Sequence, residues 1–488
     1  MITARAWSGK RYAVLGLARS GLATVHALLA SGASVVAWDS KEEARAAILP
    51  GTGRGTMRSM VEGALHEGFV QPNSPSTAFG FAGEIALGNL SPVRGTGRPA
   101  HPPLRSAEDL SLADPLETDL TGFAGVVVSP GVPINRHPIA VHARAAGVPL
   151  IGDIEMFAQA RGELPSHKVV GITGTNGKST TTALIHHILE TAGTPARLGG
   201  NIGLPILGQE PLPGGGVYVL ELSSYQIDLT FSLDCDVAVL TNITPDHLDR
   251  YDGFDAYAAS KARLFAMQSV GHAAVIGIGD IASANIAREV AKAGRSLDLT
   301  KIAPGVCMDQ SRWPALQGPH NAQNALAAIA ACEALGVDQA AIDRGLESFP
   351  GLPHRMERVA TRQGVLFVND SKATNPTSVA PALLAFDRIH WILGGQAKTA
   401  DLDACRPGFS HVARAYTIGE AGEMYAELLA PDIPVETCDT LDRAVAEAAR
   451  QAKPGETVLL SPACASFDQF RDYEDRGDKF RAAVEALA

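Results

Sequence analysis

The sequence predicts an α/β protein of three domains with mostly parallel sheets. Three observations carry that reading. Residues 12–39 run strand, glycine turn, helix, strand, acid; residues 169–189 run buried strand, Gly-Lys-Ser loop, helix; and after residue 351 four strand-like runs alternate with helical patterns. The chain has 488 residues, 46% of them hydrophobic, which is enough for several sizeable cores and more than a lone binding module needs. Its 49 glycines and 30 prolines suit many tight loops without reaching the composition of a disordered chain.

The net charge of -11, with Lys and Arg scattered, argues against a nucleic-acid partner. Cys235, Cys307, Cys332, Cys405, Cys438 and Cys464 show no paired short spacing, which points away from a metal or disulfide framework and toward a reducing compartment. The N-terminus does not read as a signal peptide, and no apolar run reaches the ~18 residues a membrane span needs. The expectation is a soluble, cytoplasmic protein.

In chain order, the first strand covers 12–17 and ends in the turn Gly16-Leu17-Ala18-Arg19-Ser20-Gly21; a helix follows at 22–30, a second strand at 34–38, then Asp39. Such a turn admits a bound nucleotide, NAD included, or a purely structural role. Residues 49–117 have poor periodicity and read as loops elaborating the first domain. A strand at 124–128 ends in Ser129-Pro130-Gly131, a turn where open sheets bind ligands. A linker at 164–167 precedes the second domain, and the third begins near Gly351-Leu352-Pro353. The division is 1–160, 161–352 and 353–488.

The strongest chemical signal is Gly174, Thr175, Asn176, Gly177, Lys178 and Ser179 between a strand at 169–173 and a helix opening at Thr180. Glycines let the backbone wrap an anion, helix-start amides donate to phosphate, and Lys178 adds charge. Ser179 supplies a hydroxyl for Mg²⁺. Position 172 is Ile where the strict pattern has Gly. A strand at 217–220 delivers Glu221 near that hydroxyl, and a strand at 237–240 leads to His247, a ligand or a surface histidine. Lys261 reads as a solvated helical lysine. Asn321 and Asn324 share a helix face; they read a base or cap the helix, with capping the first reading of Asn321. Arg355, the polar run 369–375 and the run 461–470 suggest a carboxylate-binding edge in the third domain.

Together these residues resemble the Mur ligase family of cell-wall peptide synthetases over nearly the whole chain. The loop at 174–179 is shared with folylpolyglutamate synthases, whereas residues 370–375 and 460–466 are similar to the glutamate-adding branch. The resemblance implies a Rossmann-like N-terminal domain, a P-loop-type central ATPase domain and a Rossmann-like C-terminal domain. It implies ATP-dependent joining of D-glutamate to UDP-N-acetylmuramoyl-L-alanine through an acyl phosphate in a monomer. Arg19, Ser20, Asp39, Ser40 and Gly131 would hold the uridine diphosphate, with Asn201 at its pyrophosphate. Lys178 would bind the ATP phosphates, and Ser179 and Glu221 one Mg²⁺. His247 would serve a second metal site, where Lys261 would carry a carbamate. Asn321 and Asn324 would lie by adenine, and Arg355 would reach the phosphates. Lys372, Thr374, Ser466, Phe470 and Tyr473 would grip glutamate. An oxidoreductase would leave the Gly-Lys-Ser loop idle. A nucleotide-gated regulator would bind ATP without making an amide, and a folylpolyglutamate synthase would leave the first turn and residues 370–375 unused.

Overall fold

The computed structural model describes residues 1–46, 48, 109–246, 248–292, 298–305 and 308–487. Three sheets follow one another along the chain. The first comprises β1 (Arg11–Leu15), β2 (Ser34–Trp38), β3 (Leu110–Leu112), β4 (Gly125–Val128) and β5 (Leu150–Ile151) in the order β3-β2-β1-β4-β5, all parallel. The order reverses beside β1, so the turns after β1 and β4 flank the crevice where such sheets bind ligands. β3 lies within the stretch read as loops; with three residues it is too short to show a period.

The second sheet comprises β6 (His167–Thr173), β7 (Ala196–Gly200), β8 (Gly216–Glu221), β9 (Val237–Leu240), β10 (Ala273–Gly277) and β11 (Asp298–Ile302). Its order is β11-β10-β9-β6-β8-β7, again parallel. The central strands are buried along their length because helices cover both faces, hence their unbroken apolar runs. Edge strand β11 exposes Asp298, Thr300 and Lys301, which hid it from a hydrophobicity reading.

The third sheet comprises β12 (Glu357–Arg362), β13 (Val365–Asn369), β14 (Ile389–Gly394), β15 (Val412–Ile418), β16 (Val435–Asp439) and β17 (Thr457–Leu460). Its order is β12-β13-β17-β14-β15-β16. β12 runs antiparallel to β13, the one departure from the parallel expectation among the described residues. β13, β17 and β14 are neighbours, so three loops leave one sheet edge side by side.

The first two units share a core. The helix Asp153–Ala160 inserts Ile154, Met156 and Phe157 into one apolar cluster that contains Trp7 and Tyr12 as well as Tyr218 and Leu220, and the Phe157 and Tyr218 rings meet edge to face at 5.0 Å. Glu155 on the same helix accepts from the backbone amides of Phe231 (2.7 Å) and Ser232 (2.9 Å). The third unit has its own cores on the two faces of its sheet and meets the second through polar contacts that include Ser378 Oγ to Asn176 Oδ1 at 3.4 Å.

Candidate active site

The loop after β6 is shaped by two glycines that no other residue can replace. Gly174 has φ +148°, and a Cβ there would sit 1.9 Å from Thr241 Oγ1; Gly177 has φ +83°, and a Cβ would sit 2.2 Å from Asn324 Oδ1. Neighbouring strand β9 braces the loop. Thr241 Oγ1 donates to the Asn176 carbonyl (2.6 Å), the Asn176 amide donates to Asn242 Oδ1 (2.9 Å), and Thr175 Oγ1 bonds Tyr257 Oη (3.1 Å). The helix Lys178–Thr191 starts directly behind it, so its first amides face the loop. Lys178 Nζ donates to the carbonyls of Gly174 (3.1 Å) and Thr175 (2.8 Å). Burial lowers the Lys178 pKa, with the Glu221 carboxylate opposing.

Glu221 ends β8 fully buried. Its Oε1 accepts from Asn201 Nδ2 at 2.8 Å, while Oε2 has no hydrogen-bond partner. A buried acceptor left open beside a phosphate loop suits a cation. Among the described residues no group of three His, Cys, Asp or Glu side chains forms a closed metal cage.

Lys261 corrects the reading of a solvated lysine. It is 1% exposed, donates to the Gly174 carbonyl at 2.8 Å and lies 4.6 Å from the Tyr257 ring centroid. Burial, and then the positive charge of Lys178, bring its pKa well below the usual lysine range. The capping reading of Asn321 also fails: the N-cap of its helix, Pro319–Ala334, is Gly318, with no side-chain cap. Asn321 instead donates to the Gln317 carbonyl (3.0 Å) and accepts from Asn324 Nδ2 (3.1 Å). That pair is buried, and Asn324 Oδ1 faces Gly177 of the phosphate loop.

Arg355 crosses the junction, its Nη2 donating to Ser179 Oγ at 2.8 Å. Its neighbours His354 (φ 61°) and Met356 (φ 49°) hold left-handed backbone, a strained segment kept by the bond from the Met356 amide to Asp370 Oδ1 (3.2 Å) and that from the Lys372 amide to the His354 carbonyl (3.0 Å). Between the second and third units a cavity of about 300 Å³ is lined by Gly177, Thr180, Asn321, Asn324, Arg355 and Lys372, among others.

In the third unit Lys372 Nζ sits 3.6 Å from the Tyr473 ring centroid. Ser466 is buried on the loop after β17, and Thr374 follows Lys372 on the loop after β13. Phe470 packs against the apolar cluster under the sheet, 5.7 Å from Lys479 Nζ. In the first unit Asp39 Oδ2 accepts from the Leu17 amide (2.7 Å), tying the turn that carries Arg19 and Ser20, while Arg45 donates to the Ser40 carbonyl at 3.2 Å. Gly131 is exposed on the turn after β4. His247 lies outside the described residues.

Residues 172–303 match the Mur ligase middle domain, and residues 354–464 match the Mur ligase glutamate ligase domain. A UDP-N-acetylmuramoylalanine–D-glutamate ligase of Novosphingobium aromaticivorans is 58% identical over all of this chain and 97% of its own length. A protein of the same name from Sphingopyxis alaskensis is 57% identical, with both chains fully covered. The chain belongs to the UDP-N-acetylmuramoylalanine–D-glutamate ligases of the Mur ligase family. The fold is that of a crystallised UDP-N-acetylmuramate–alanine ligase of Thermotoga maritima, at TM-score 0.54 and 15% identity over 98% of this chain and 99% of that one. The oxidoreductase and regulatory readings therefore fall away.

Several residues that brace the loops of the third unit were not singled out from sequence. Arg476, with no exposed surface, donates to the Ser371 carbonyl (2.9 Å), Ser371 Oγ (3.0 Å) and the Cys464 carbonyl (3.1 Å), stapling the loops after β13 and β17. Removing its donors leaves buried carbonyls unpaired, so Arg476→Met is expected to lower the unfolding free energy by on the order of 3 kcal/mol. Urea denaturation reads this; an unchanged midpoint would mean that the loops hold without the staple. Asp370, whose Oδ2 accepts from Ser461 Oγ at 2.7 Å, is pushed up to about 7 by burial. On the loop after β14, Gln396 pairs with Ala465. Arg476 lies 105 residues from Ser371, and a contact over that span leaves no local pattern.

Proposed function

We propose that the phosphate loop is the phosphoryl-transfer centre of a D-glutamate-adding ligase of peptidoglycan precursor synthesis. Residues 1–160 hold UDP-N-acetylmuramoyl-L-alanine, residues 161–352 hold ATP and residues 353–488 hold D-glutamate. The observation that carries this reading is the cavity joining Gly177 and Thr180 to Arg355 and Lys372, a space where phosphate and amino-acid groups can meet.

The alanine carboxylate attacks the γ-phosphorus of ATP, the bond to the β,γ-bridging oxygen breaks, and ADP leaves. The amine of D-glutamate attacks the acyl carbon of the resulting acyl phosphate, loses a proton, and phosphate departs as the amide forms. Phosphorylation is needed because a free carboxylate would have to expel oxide. The protein's share is positioning and charge stabilisation. Lys178 and the loop amides hold the ATP phosphates, Asn321 and Asn324 lie by the adenine, and Arg355 reaches the phosphates across the junction. Arg19, Ser20, Asp39, Ser40 and Gly131 hold the uridine diphosphate, and Asn201 its pyrophosphate. Lys372, Thr374, Ser466, Phe470 and Tyr473 grip glutamate. Approach of the third unit to the second excludes water, which would otherwise hydrolyse the acyl phosphate.

Ser179 and Glu221 fit one Mg²⁺, an ion that takes few protein carboxylates and keeps phosphate and water ligands; the open Glu221 oxygen supports this. His247 and a carbamate on Lys261 would serve a second. When bound, Mg²⁺ neutralises charge on the transferred phosphoryl group. The five described cysteines are free and buried, in keeping with a reducing cytoplasm, and the protein acts as a monomer.

Amide formation from UDP-N-acetylmuramoyl-L-alanine, Mg-ATP and each glutamate enantiomer tests the reading: product is expected with D-glutamate, and its absence would overturn it. Lys372 adds a pH dependence. Burial and the Arg355 charge bring its pKa down to about 8, so its cationic form is lost as pH rises through that value. The KM for D-glutamate is expected to climb above pH ~8 and to climb less in Lys372→Arg, whose guanidinium stays charged. Parallel profiles for both enzymes would remove Lys372 from carboxylate binding.

A further inference from the structure

Six residues in the described structure build a two-way latch between the first and second units. Arg250 Nη2, from the second unit, donates to the carbonyls of Pro130 (3.3 Å) and Val132 (3.0 Å), the residues flanking Gly131. In return Arg136 Nη2 and Asn135 Nδ2, from the first unit, donate to the Asp249 carbonyl at 2.8 and 3.4 Å. The Arg250 guanidinium lies 4.2 Å over the Tyr225 ring, which stacks on Tyr251 at 6.1 Å and 16°. Tyr251 is held by its own bond to Asp228 Oδ2 (2.8 Å) and meets the Tyr257 ring at 5.4 Å. Tyr257 Oη bonds Thr175 of the phosphate loop. Contacts therefore run unbroken from the turn after β4 to the turn after β6.

We infer that Arg250 is a positioning residue for the UDP substrate: by gripping both sides of Gly131 it sets the uridine diphosphate turn at a fixed distance from the phosphate loop. This rests on the assignment of Gly131 to the uridine diphosphate site. Two carbonyls of one turn converge on a single nitrogen of a planar cation, which satisfies both while its guanidinium plane lies on an aromatic face. Within the first unit the turn is tied to the neighbouring turn by Ser129, whose amide and Oγ donate to the carbonyls of Leu15 (2.9 Å) and Gly16 (2.8 Å); Arg250 adds its tie to the second unit, while Gly131 itself stays exposed. A substrate anchored at one end on this turn and reacting at the other end, at the γ-phosphate, needs that separation kept constant.

The test uses the full-length enzyme and three variants, Arg250→Ala, Arg250→Lys and Gly131→Trp, with KM measured separately for UDP-N-acetylmuramoyl-L-alanine, ATP and D-glutamate. Arg250→Ala is expected to raise KM for the UDP substrate at least tenfold, leaving KM for ATP within about threefold, with Arg250→Lys in between. A Cβ at Gly131 meets nothing within 4 Å, so Gly131→Trp is expected to fold and to fill the space above the turn, reporting on the site assignment. If Gly131→Trp raises KM for the UDP substrate and Arg250→Ala does not, the latch inference is wrong and the assignment stands. If Gly131→Trp leaves that KM unchanged, the assignment is wrong and the inference falls with it. A proportional rise in all three KM values in Arg250→Ala, together with a lowered melting temperature, would make Arg250 a structural residue and reject the inference.

Discussion

The Lys178→Ala variant is expected to lose acyl-phosphate formation and ligation together, by about a thousandfold or more. Removing one preorganised electrostatic donor from a water-poor site costs on the order of 10²- to 10³-fold in rate, and Lys178 also closes the loop by bonding Gly174 and Thr175. The lysine is poised to exchange those carbonyls for phosphate oxygens without moving its backbone. Burial lowers its pKa, and incoming phosphates oppose that shift by favouring the charged form. An acyl-phosphate assay with full signal would remove the loop from phosphoryl transfer. Loss of ligation alone, with acyl phosphate still accumulating, would place Lys178 in the second step.

The Lys261→Ala variant is expected to be nearly inactive and partly restored by short carboxylic acids such as formate or acetate. The side chain is buried beside Lys178 and bonded to the Gly174 carbonyl. With its pKa well below the usual range, the amine is available as the free base that reacts with CO₂. The amine nitrogen bonds to the carbon of CO₂ and gives up a proton, and the product is an anion where two cations would otherwise repel. A carboxylic acid diffusing into the truncated site supplies that missing anion. An unimpaired variant would reject the carbamate. An inactive variant that no acid restores would leave Lys261 as a neutral brace for the loop, through its bond to Gly174.

What was legible in the sequence follows the distance over which each feature is built. The phosphate loop is contiguous: strand, glycines, Lys178, Ser179 and helix occur within one stretch, so the local order of residue types is enough to specify an amide nest. The central strands β6, β8 and β9 were legible for the same reason, since burial on both faces writes itself as an apolar run. Edge strands β11 and β12 were not, because a half-exposed strand with Asp, Lys, Glu and Arg loses that signature. The family resemblance supplied roles for side chains such as Lys372, but not their surroundings.

By itself, the sequence determined the three successive α/β units, the phosphate loop and, through its motifs, the ligase family. Tertiary structure alone decided the burial of Lys261 and the hydrogen-bond partners of Asn321. An exposed helical lysine and a buried one have the same local sequence; the difference lies in Gly174, 87 residues away, closing over the ammonium and depriving it of water. Arg476 is likewise unremarkable until the loops at Ser371 and Cys464 meet around it. The phosphate loop that first suggested ATP thus proved to be one wall of a site whose other walls come from distant parts of the chain. Desolvation and charge proximity depend on which atoms surround a group in space, and no short stretch of sequence records that.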